Sequence, residues 1–255
     1  MELARCALLS IAACVAACSG NKSRTADDAL RATGHVEGDA AVSSDASPAQ
    51  PGDLQVRVEW KAVPAVARNS PGRTRCNTAR AASVTPTTTW GIPETFVFVD
   101  GAPAAPAEVR VVLADCALRP RVAVGRSVIV ESAVDRPARV TLVKQGTVSD
   151  NGVFHPGEAR VIQLPVAGHA VRVSLDPDGI YQLATEDAEP EISWIVAAPA
   201  AVTDPSGQAI VKGLSPGAHQ ITAWLPARGN QPAGRASAAA TVVGSELAEI
   251  TVPLR

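Results

Sequence analysis

The chain has few of the residues on which most enzyme and metal sites depend. Its 255 residues include four histidines, five cysteines and a single methionine, Met1. It contains no His-Glu-x-x-His, Gly-x-Gly-x-x-Gly or Walker sequence, so the zinc, dinucleotide and phosphate sites built on those motifs have no basis here. The histidines are also too scattered to nominate a catalytic triad. We therefore expect no enzymatic activity.

The chain also has no large excess of positive or negative charge, and it has few aromatic residues. Lys and Arg number 23 against 25 Asp and Glu, and no basic cluster interleaves with aromatics, so nucleic acid is not an expected partner. Of the four tryptophans, Trp60, Trp194 and Trp224 continue alternating apolar segments and are expected in the core. Trp90 lies instead in the Thr/Pro-rich stretch TPTTTWGIPE. It is the one aromatic side chain that we predict to contact a glycan or protein ligand.

The N-terminus carries an export signal. Residues 1–17 hold one cation, Arg5, and an apolar run of about twelve residues, far short of the roughly 20 that span a bilayer. The small residues before Cys18 and the Ser19-Gly20 pair after it resemble the bacterial lipobox. The resemblance implies that Cys18 is lipidated and anchors the protein, and that Ser19 directs it to the outer membrane. An ordinary secretory signal, cut at a nearby Ala-x-Ala site, is the alternative.

Composition then predicts a linker and a disulfide bond. Residues 18–52 are rich in Ala, Ser, Asp, Gly and Pro, which favours a disordered, flexible tether. Beyond the tether only Cys76 and Cys116 remain, and the bacterial envelope is oxidising, so we predict that they pair. Closing a loop of about 40 residues would contribute about 3 to 4 kcal/mol. Two buried free thiols are the alternative.

From Asp53 onward the pattern is that of an all-β protein. Short apolar segments rich in β-branched residues alternate with turn signals every eight to twelve residues, and Leu54–Trp60 shows the alternation most clearly. The 20 prolines and 19 glycines fall mostly between these segments. No segment keeps a 3.6-residue apolar period. The fold class expected is a β-sandwich assembly.

The C-terminal part resembles a known sandwich family. VTDPSGQAIVKGLSPGAHQITAW, residues 202–224, is similar to the core of carboxypeptidase regulatory-like domains, which have a transthyretin-like (prealbumin-like) fold. LQVRVEWKAVP, residues 54–64, resembles the first strand of such domains but lies nearly 140 residues upstream. The resemblance implies a discontinuous sandwich, made from residues 53–66 and 199–255, into which another domain is inserted.

The intervening residues 67–198 resemble a second family. Residues 106–142 and 161–197, with CNTARA at Cys76, are similar to cupredoxin-like domains of the plastocyanin and methylamine-utilisation type. That family binds copper through imidazole, thiolate and thioether groups. Here the corresponding positions hold residues that cannot supply those groups, and Arg121 replaces a further family histidine. We therefore expect a copper-free scaffold and no cofactor. The four degenerate ligand positions are Ala138, Thr185, Ala188 and Glu191.

Other cation sites have weaker support. TEDAEPE, residues 185–191, gathers four carboxylates that could hold calcium, but a solvated acidic loop is the interpretation that we favour. His155, His169 and His219 are dispersed, and we expect them at the surface or at strand edges.

Together these observations predict a non-catalytic outer-membrane lipoprotein. The membrane would be contacted through the lipid on Cys18, and the sandwich would act as a structural or interaction module for an envelope protein or glycan. A dedicated carbohydrate-binding module acting through Trp90 is one alternative. A periplasmic metal-binding or electron-transfer protein is the other.

Overall fold

The structure is a computed structural model, and it confirms the all-β class: 55% of it is strand and 3% helix. Residues 1–49, with the predicted signal peptide and Cys18, and residues 186–191, with Ala188 and Glu191, lie outside the described residues. No helix in the described part has the length and apolar character needed to cross a membrane. The residues described are 50–68, 72–73, 76–79, 82–150, 155–185, 192–229 and 231–255.

The described residues form sixteen strands and one short helix, α1 (Ala65–Arg68). Turn residues end most strands, as the spacing of Gly and Pro predicts. The strands are β1 (Gly52–Glu59), β2 (Phe96–Val99), β3 (Val109–Ala114), β4 (Ala117–Arg119), β5 (Val122–Val124), β6 (Ser127–Ser132), β7 (Ala138–Thr147), β8 (Ala159–Leu164), β9 (Ala170–Ser174), β10 (Gly179–Thr185), β11 (Ile192–Val196), β12 (Ala201–Val202), β13 (Gln208–Leu214), β14 (Gly217–Leu225), β15 (Gly234–Val242) and β16 (Leu247–Pro253).

The strands assemble into four sheets. Sheet 1 has the order β13-β1-β16, and sheet 2 has the order β12-β2-β14-β15. Sheet 3 has the order β5-β11-β10-β7-β8, and sheet 4 has the order β4-β3-β6-β9. Most neighbours are antiparallel, but β1 with β16, β3 with β6, and β5 with β11 are parallel.

Sheets 1 and 2 pack face to face as sandwich I. Leu54, Val56 and Val58 of β1 are fully buried and alternate with half-buried polar residues, as the sequence pattern predicts. They meet inward side chains of sheet 2 such as Val97 and Ile221 in one core. β1 is the central strand of sheet 1, with β13 antiparallel on one side and β16 parallel on the other.

Sheets 3 and 4 form sandwich II in the same way. Its core joins side chains of sheet 4, such as Val111 and Val128, to side chains of sheet 3, such as Leu183 and Ile195. All strands of sandwich II lie between β2 and β12 in the sequence, so the chain leaves sandwich I once and returns to it once. Phe96–Val99, which the predicted boundary assigns to residues 67–198, pairs with β12 and β14 in sheet 2.

A third core lies where sheet 2 packs against sheet 3. The rings of Phe96 and Trp224 stack with centroids 5.3 Å apart, and Trp194 meets Trp224 edge-on at 5.5 Å. Ile180 and Val196 of sheet 3 complete this core. The two inner sheets therefore each contribute to two cores, and the four sheets form a stack of four β layers.

The predicted cysteine pair is present. The Sγ atoms of Cys76 and Cys116 lie at disulfide distance, and their Cα atoms are 5.7 Å apart across 40 residues of sequence. Arg136 Nη2 lies 3.5 Å from the Cys116 sulfur. Cys116 is buried at the β3–β4 turn, and Cys76 lies between β1 and β2. The disulfide therefore connects the β1–β2 segment to sandwich II.

Candidate functional site

The turn that carries Trp90 is fixed on both sides by hydrogen bonds. Within the turn, Trp90 N donates to Thr87 O at 3.0 Å, and Gly91 N donates to the Thr87 hydroxyl at 2.8 Å. At the end of β1, Trp60 N donates to Trp90 O at 3.0 Å and Ile92 N donates to Val58 O at 2.9 Å. These bonds hold the backbone of the turn in one conformation.

Next to Trp90, the position of Gly91 has no room for a side chain, because this turn packs closely against another. A Cβ atom added to Gly91 would clash with the carbonyl oxygen of Ser206, in the turn that follows β12. Gly207 of that turn approaches the backbone of Gly91 and Ile92 in return. The two turns therefore pack tightly against each other, and this packing holds the backbone at Trp90 in place.

Trp90 itself has two unusual properties. Its φ angle of 64° lies in the left-handed region, which a bulky side chain rarely occupies. Its side chain is 39% exposed, whereas Trp60, Trp194 and Trp224 are 7%, 4% and 3% exposed. Backbone strain that the surrounding structure enforces is typical of binding sites. Trp90 is thus the tryptophan that the structure makes accessible, as the sequence predicts.

Polar groups flank the Trp90 turn on the outer face of sheet 1. Arg57 Nη2 donates to the Thr89 hydroxyl at 2.6 Å and to the Thr89 carbonyl oxygen at 3.0 Å. Arg57 Nε also donates to Glu59 Oε1 at 2.7 Å, and Lys61 lies 4.0 Å from the same carboxylate. An exposed indole beside oriented guanidinium, carboxylate and hydroxyl groups can stack on a flat ligand and hydrogen-bond to its edges.

Two of the positions that the cupredoxin resemblance assigns to copper ligands, Ala138 and Thr185, are described and lie close together. Ala138 begins β7 and packs against the core of sandwich II, and Thr185 ends β10, the neighbouring strand. Thr185 pairs with Val140, two residues along from Ala138, so both side chains point to the same face. Their side chains end in a methyl group and a hydroxyl group, and neither is an imidazole or a thiolate. Among the described residues no group of three or more His, Cys, Asp or Glu side chains could hold a metal ion.

The histidines differ in their surroundings. His155 and His169 are exposed, as expected. His219, expected at the surface or a strand edge, is buried instead, with 6% exposure in β14, which lies inside sheet 2. Its Nδ1 and Nε2 atoms lie 2.6 Å and 2.7 Å from the carbonyl oxygens of Asp100 and Ser215. Two turns cover the ring, and their carbonyl oxygens accept from a ring N–H, so His219 has a structural role.

Gly213–Gly217, the sequence GLSPG, has the Gly-x-Ser-x-Gly spacing of a nucleophile elbow. It joins β13 of sheet 1 to β14 of sheet 2, whereas an elbow joins a strand to a helix. His219 contacts the backbone oxygen of Ser215, as described above. The arrangement therefore gives no support to a serine nucleophile.

One ionic cluster was not found from the sequence. Arg228 Nη1 and Arg121 Nη1 lie 2.6 Å and 3.5 Å from the same Glu94 oxygen, Oε2. Arg228 also donates to the Glu94 carbonyl oxygen at 3.1 Å, and Arg121 donates to Ala82 O at 3.1 Å. The cluster joins a loop before β2, the residue before β5 and a loop after β14, so it links the two sandwiches. Arg121, which the cupredoxin resemblance aligns with a histidine, is placed here as a structural cation.

Comparison with known proteins gives no relative: no family model matches the chain, and neither a curated protein nor a solved structure matches it significantly.

Proposed function

We propose that the protein is a non-catalytic interaction module of the bacterial cell envelope, anchored to the outer membrane through a lipid on Cys18. A tether of residues 18–52 would hold the four-layer stack away from the membrane. The carboxypeptidase-regulatory-like and cupredoxin-like resemblances would then describe scaffolds that present loops, with copper chemistry lost from the second. The observation that carries the proposal is the rigid, strained and exposed Trp90 turn.

Binding surfaces that are already rigid lose little entropy when a partner docks, and exposed tryptophans are frequent energetic centres of such surfaces. The Trp90 turn has both properties, because its backbone is hydrogen-bonded to β1 and packed against Gly207. The partner favoured is a protein of the envelope that receives the indole in an apolar pocket.

The test is site-specific photocrosslinking in cells of the source bacterium. A photoreactive amino acid replaces Trp90 in one strain and Ile210 in another, where Ile210 is a matched control that is 51% exposed on β13. We expect one reproducible protein adduct from position 90, none from position 210, and loss of the adduct with Cys18→Ala. Equal adducts at both positions, or none at position 90, would refute the proposal.

Glycan binding is the second candidate, and the polar groups beside Trp90 favour it. An indole flanked by Arg57, Glu59 and Thr89 has the stacking surface and the hydrogen-bonding groups that a sugar ring needs. Retention of the Cys18→Ala chain on immobilised envelope polysaccharide tests it. Trp90→Ala should abolish retention and Trp60→Phe should not. Retention that survives Trp90→Ala would eliminate this candidate.

A further inference from the structure

A cleft of about 350 Å³ opens between the two sandwiches, beside their shared core and away from any residue discussed as a ligand position. Its size lies at the lower end of the range for small-molecule sites, which form preferentially where two domains meet. Segments from both sandwiches line it: the end of β2 and the turn after it, the 3-10 turn after β7, the turn before β10, and the residues after β11.

The wall of the cleft is apolar and partly aromatic. Phe98 and Val148 contribute side chains that also pack against the core between the sandwiches, and Ala198 and Pro199 continue this surface. A ligand with a short hydrocarbon body would bury it against these groups. The phenyl ring of Phe98 adds an aromatic surface of the kind that attracts organic cations.

The charged side chains described in the cleft are both carboxylates. Asp100 and Asp178 are exposed residues that line it, one from each sandwich, and Ser149 adds a hydroxyl. Among the described residues, no Lys, Arg or His side chain lines the cleft. Two carboxylates above an apolar, partly aromatic wall are complementary to a positively charged group on an apolar body, and they repel anions.

The backbone that carries these carboxylates is already fixed. Asp100 N donates to Gln220 O at 3.2 Å, and the Asp100 carbonyl oxygen contacts the buried His219 ring. On the other side, Val148 N donates to Asp178 O at 3.0 Å, and Asp178 N donates to Ala197 O at 3.2 Å. The cleft therefore does not need to reorganise before a ligand enters.

We propose that this cleft binds small organic ammonium compounds, with the ammonium group between Asp100 and Asp178 and the hydrocarbon body on Phe98, Val148 and Pro199. The site is separate from the Trp90 turn, and its failure would leave the interaction module untouched.

The test uses three ligands that share a six-carbon chain: hexylammonium, hexanol and hexanoate. Each is titrated into the folded chain carrying Cys18→Ala, and backbone amide shifts are followed by NMR. We expect hexylammonium to shift the amides of Gly101, Ser149 and Ala198, hexanol to act more weakly, and hexanoate to have no effect. Because the carboxylates are exposed, added salt should weaken the binding of hexylammonium.

Variants assign the effect to the cleft. Asp100→Asn and Asp178→Asn should each weaken hexylammonium binding about fivefold and leave hexanol binding unchanged. Asp135→Asn, which removes an exposed carboxylate outside the cleft, is the matched control and should have no effect. Equal binding of hexylammonium and hexanol, an equal loss with Asp135→Asn, or the absence of shifts around the cleft would overturn the proposal.

Discussion

At the scale of a single residue, Asp204 shows how one side chain organises the turn that supports Trp90. Its Oδ1 atom accepts hydrogen bonds from the Ser206 hydroxyl at 2.6 Å, from Ser206 N at 2.8 Å and from Gln208 N at 3.1 Å. The Ser206 hydroxyl is the main cause that lowers the pKa of Asp204, and the backbone donors of Ser206, Gly207 and Gln208 add to it. These bonds favour the ionised carboxylate, so folding and ionisation are coupled.

The coupling predicts a pH dependence. Because the pKa of Asp204 is lower in the folded state than in the unfolded state, its contribution to stability is present above the usual Asp pKa and is lost as the pH falls through the folded value. We expect Asp204→Ala to cost no more than about 1 kcal/mol at pH 7, since the side chain is exposed, and less at pH 3. Urea unfolding at both values measures this.

The matched variant for this prediction is Asp204→Asn, which keeps an acceptor oxygen at the same position but has no charge to titrate. Its stability relative to Asp204→Ala should not change between pH 7 and pH 3. A wild-type advantage over Asp204→Ala that grows as the pH falls would have the wrong sign and would contradict the coupling.

At the scale of elements, Glu94 holds together loops that come from both sandwiches. Its carboxylate is 35% exposed, whereas the side chains of Arg228 and Arg121 are 5% and 12% exposed. Removing the negative charge would take this carboxylate away from two largely buried guanidinium groups, which is more costly than losing a surface pair.

We therefore expect Glu94→Gln to lower the free energy of unfolding by about 2 to 3 kcal/mol, below the full value for a buried pair because Glu94 is partly exposed. Glu131→Gln is the control, since Glu131 pairs with Arg110 at the surface, where the Arg110 side chain is 57% exposed. That variant should cost less than about 1 kcal/mol. Urea denaturation of both variants checks the difference, and equal losses would show that Glu94 is no more than a surface partner.

The strands also show which features of the fold the sequence can predict. β1 and the all-β class follow from alternating β-branched segments, because one buried face imposes a period of two. β2, Phe96–Val99, is apolar at every position, and such a run indicates a strand that is buried on both faces. The alternation rule does not detect such a strand, because it looks for one polar and one apolar face. The Glu94–Arg228 contact joins residues 134 apart, and no local pattern indicates such a pair.

The candidate site was predictable in part for the same physical reasons. The Thr/Pro-rich context of Trp90 sets it apart from the alternating strands, which favoured exposure. Its left-handed conformation occurs beside Gly91, which packs against the distant turn at Ser206, and no local sequence pattern indicates that contact. The burial of His219 likewise depends on the Asp100 turn, 119 residues away.

At the scale of the whole molecule, the four layers should unfold together. Sheets 2 and 3 share the core around Trp194, whose Nε1 atom also donates to Ala227 O at 3.0 Å, from one sandwich to the other. Neither sandwich can open without exposing that core, so its burial is lost in the same step. We expect a single transition in urea, with tryptophan fluorescence and far-UV circular dichroism coincident.

Truncation at the shared core tests this cooperativity. Trp194→Ala should cost about 3 to 5 kcal/mol, as is usual for deleting a large buried aromatic, and it should destabilise both sandwiches. Val161→Ala, on the same sheet but 54% exposed, should cost less than about 0.5 kcal/mol. Two separated transitions in the wild type, or a Trp194→Ala loss as small as that of Val161→Ala, would show that the sandwiches fold independently.

The parallel pairing of β1 with β16 has a mechanical consequence. The register runs from Asp53 opposite Leu247 to Glu59 opposite Pro253, so the chain enters β1 at one end of the ladder and leaves β16 at the other. Tension between those two points acts along the strands and loads all the hydrogen bonds of the ladder at once, whereas an antiparallel pair pulled at adjacent ends opens one bond at a time. A protein tethered at its N-terminal side and pulled from its C-terminal side would therefore resist extension in shear.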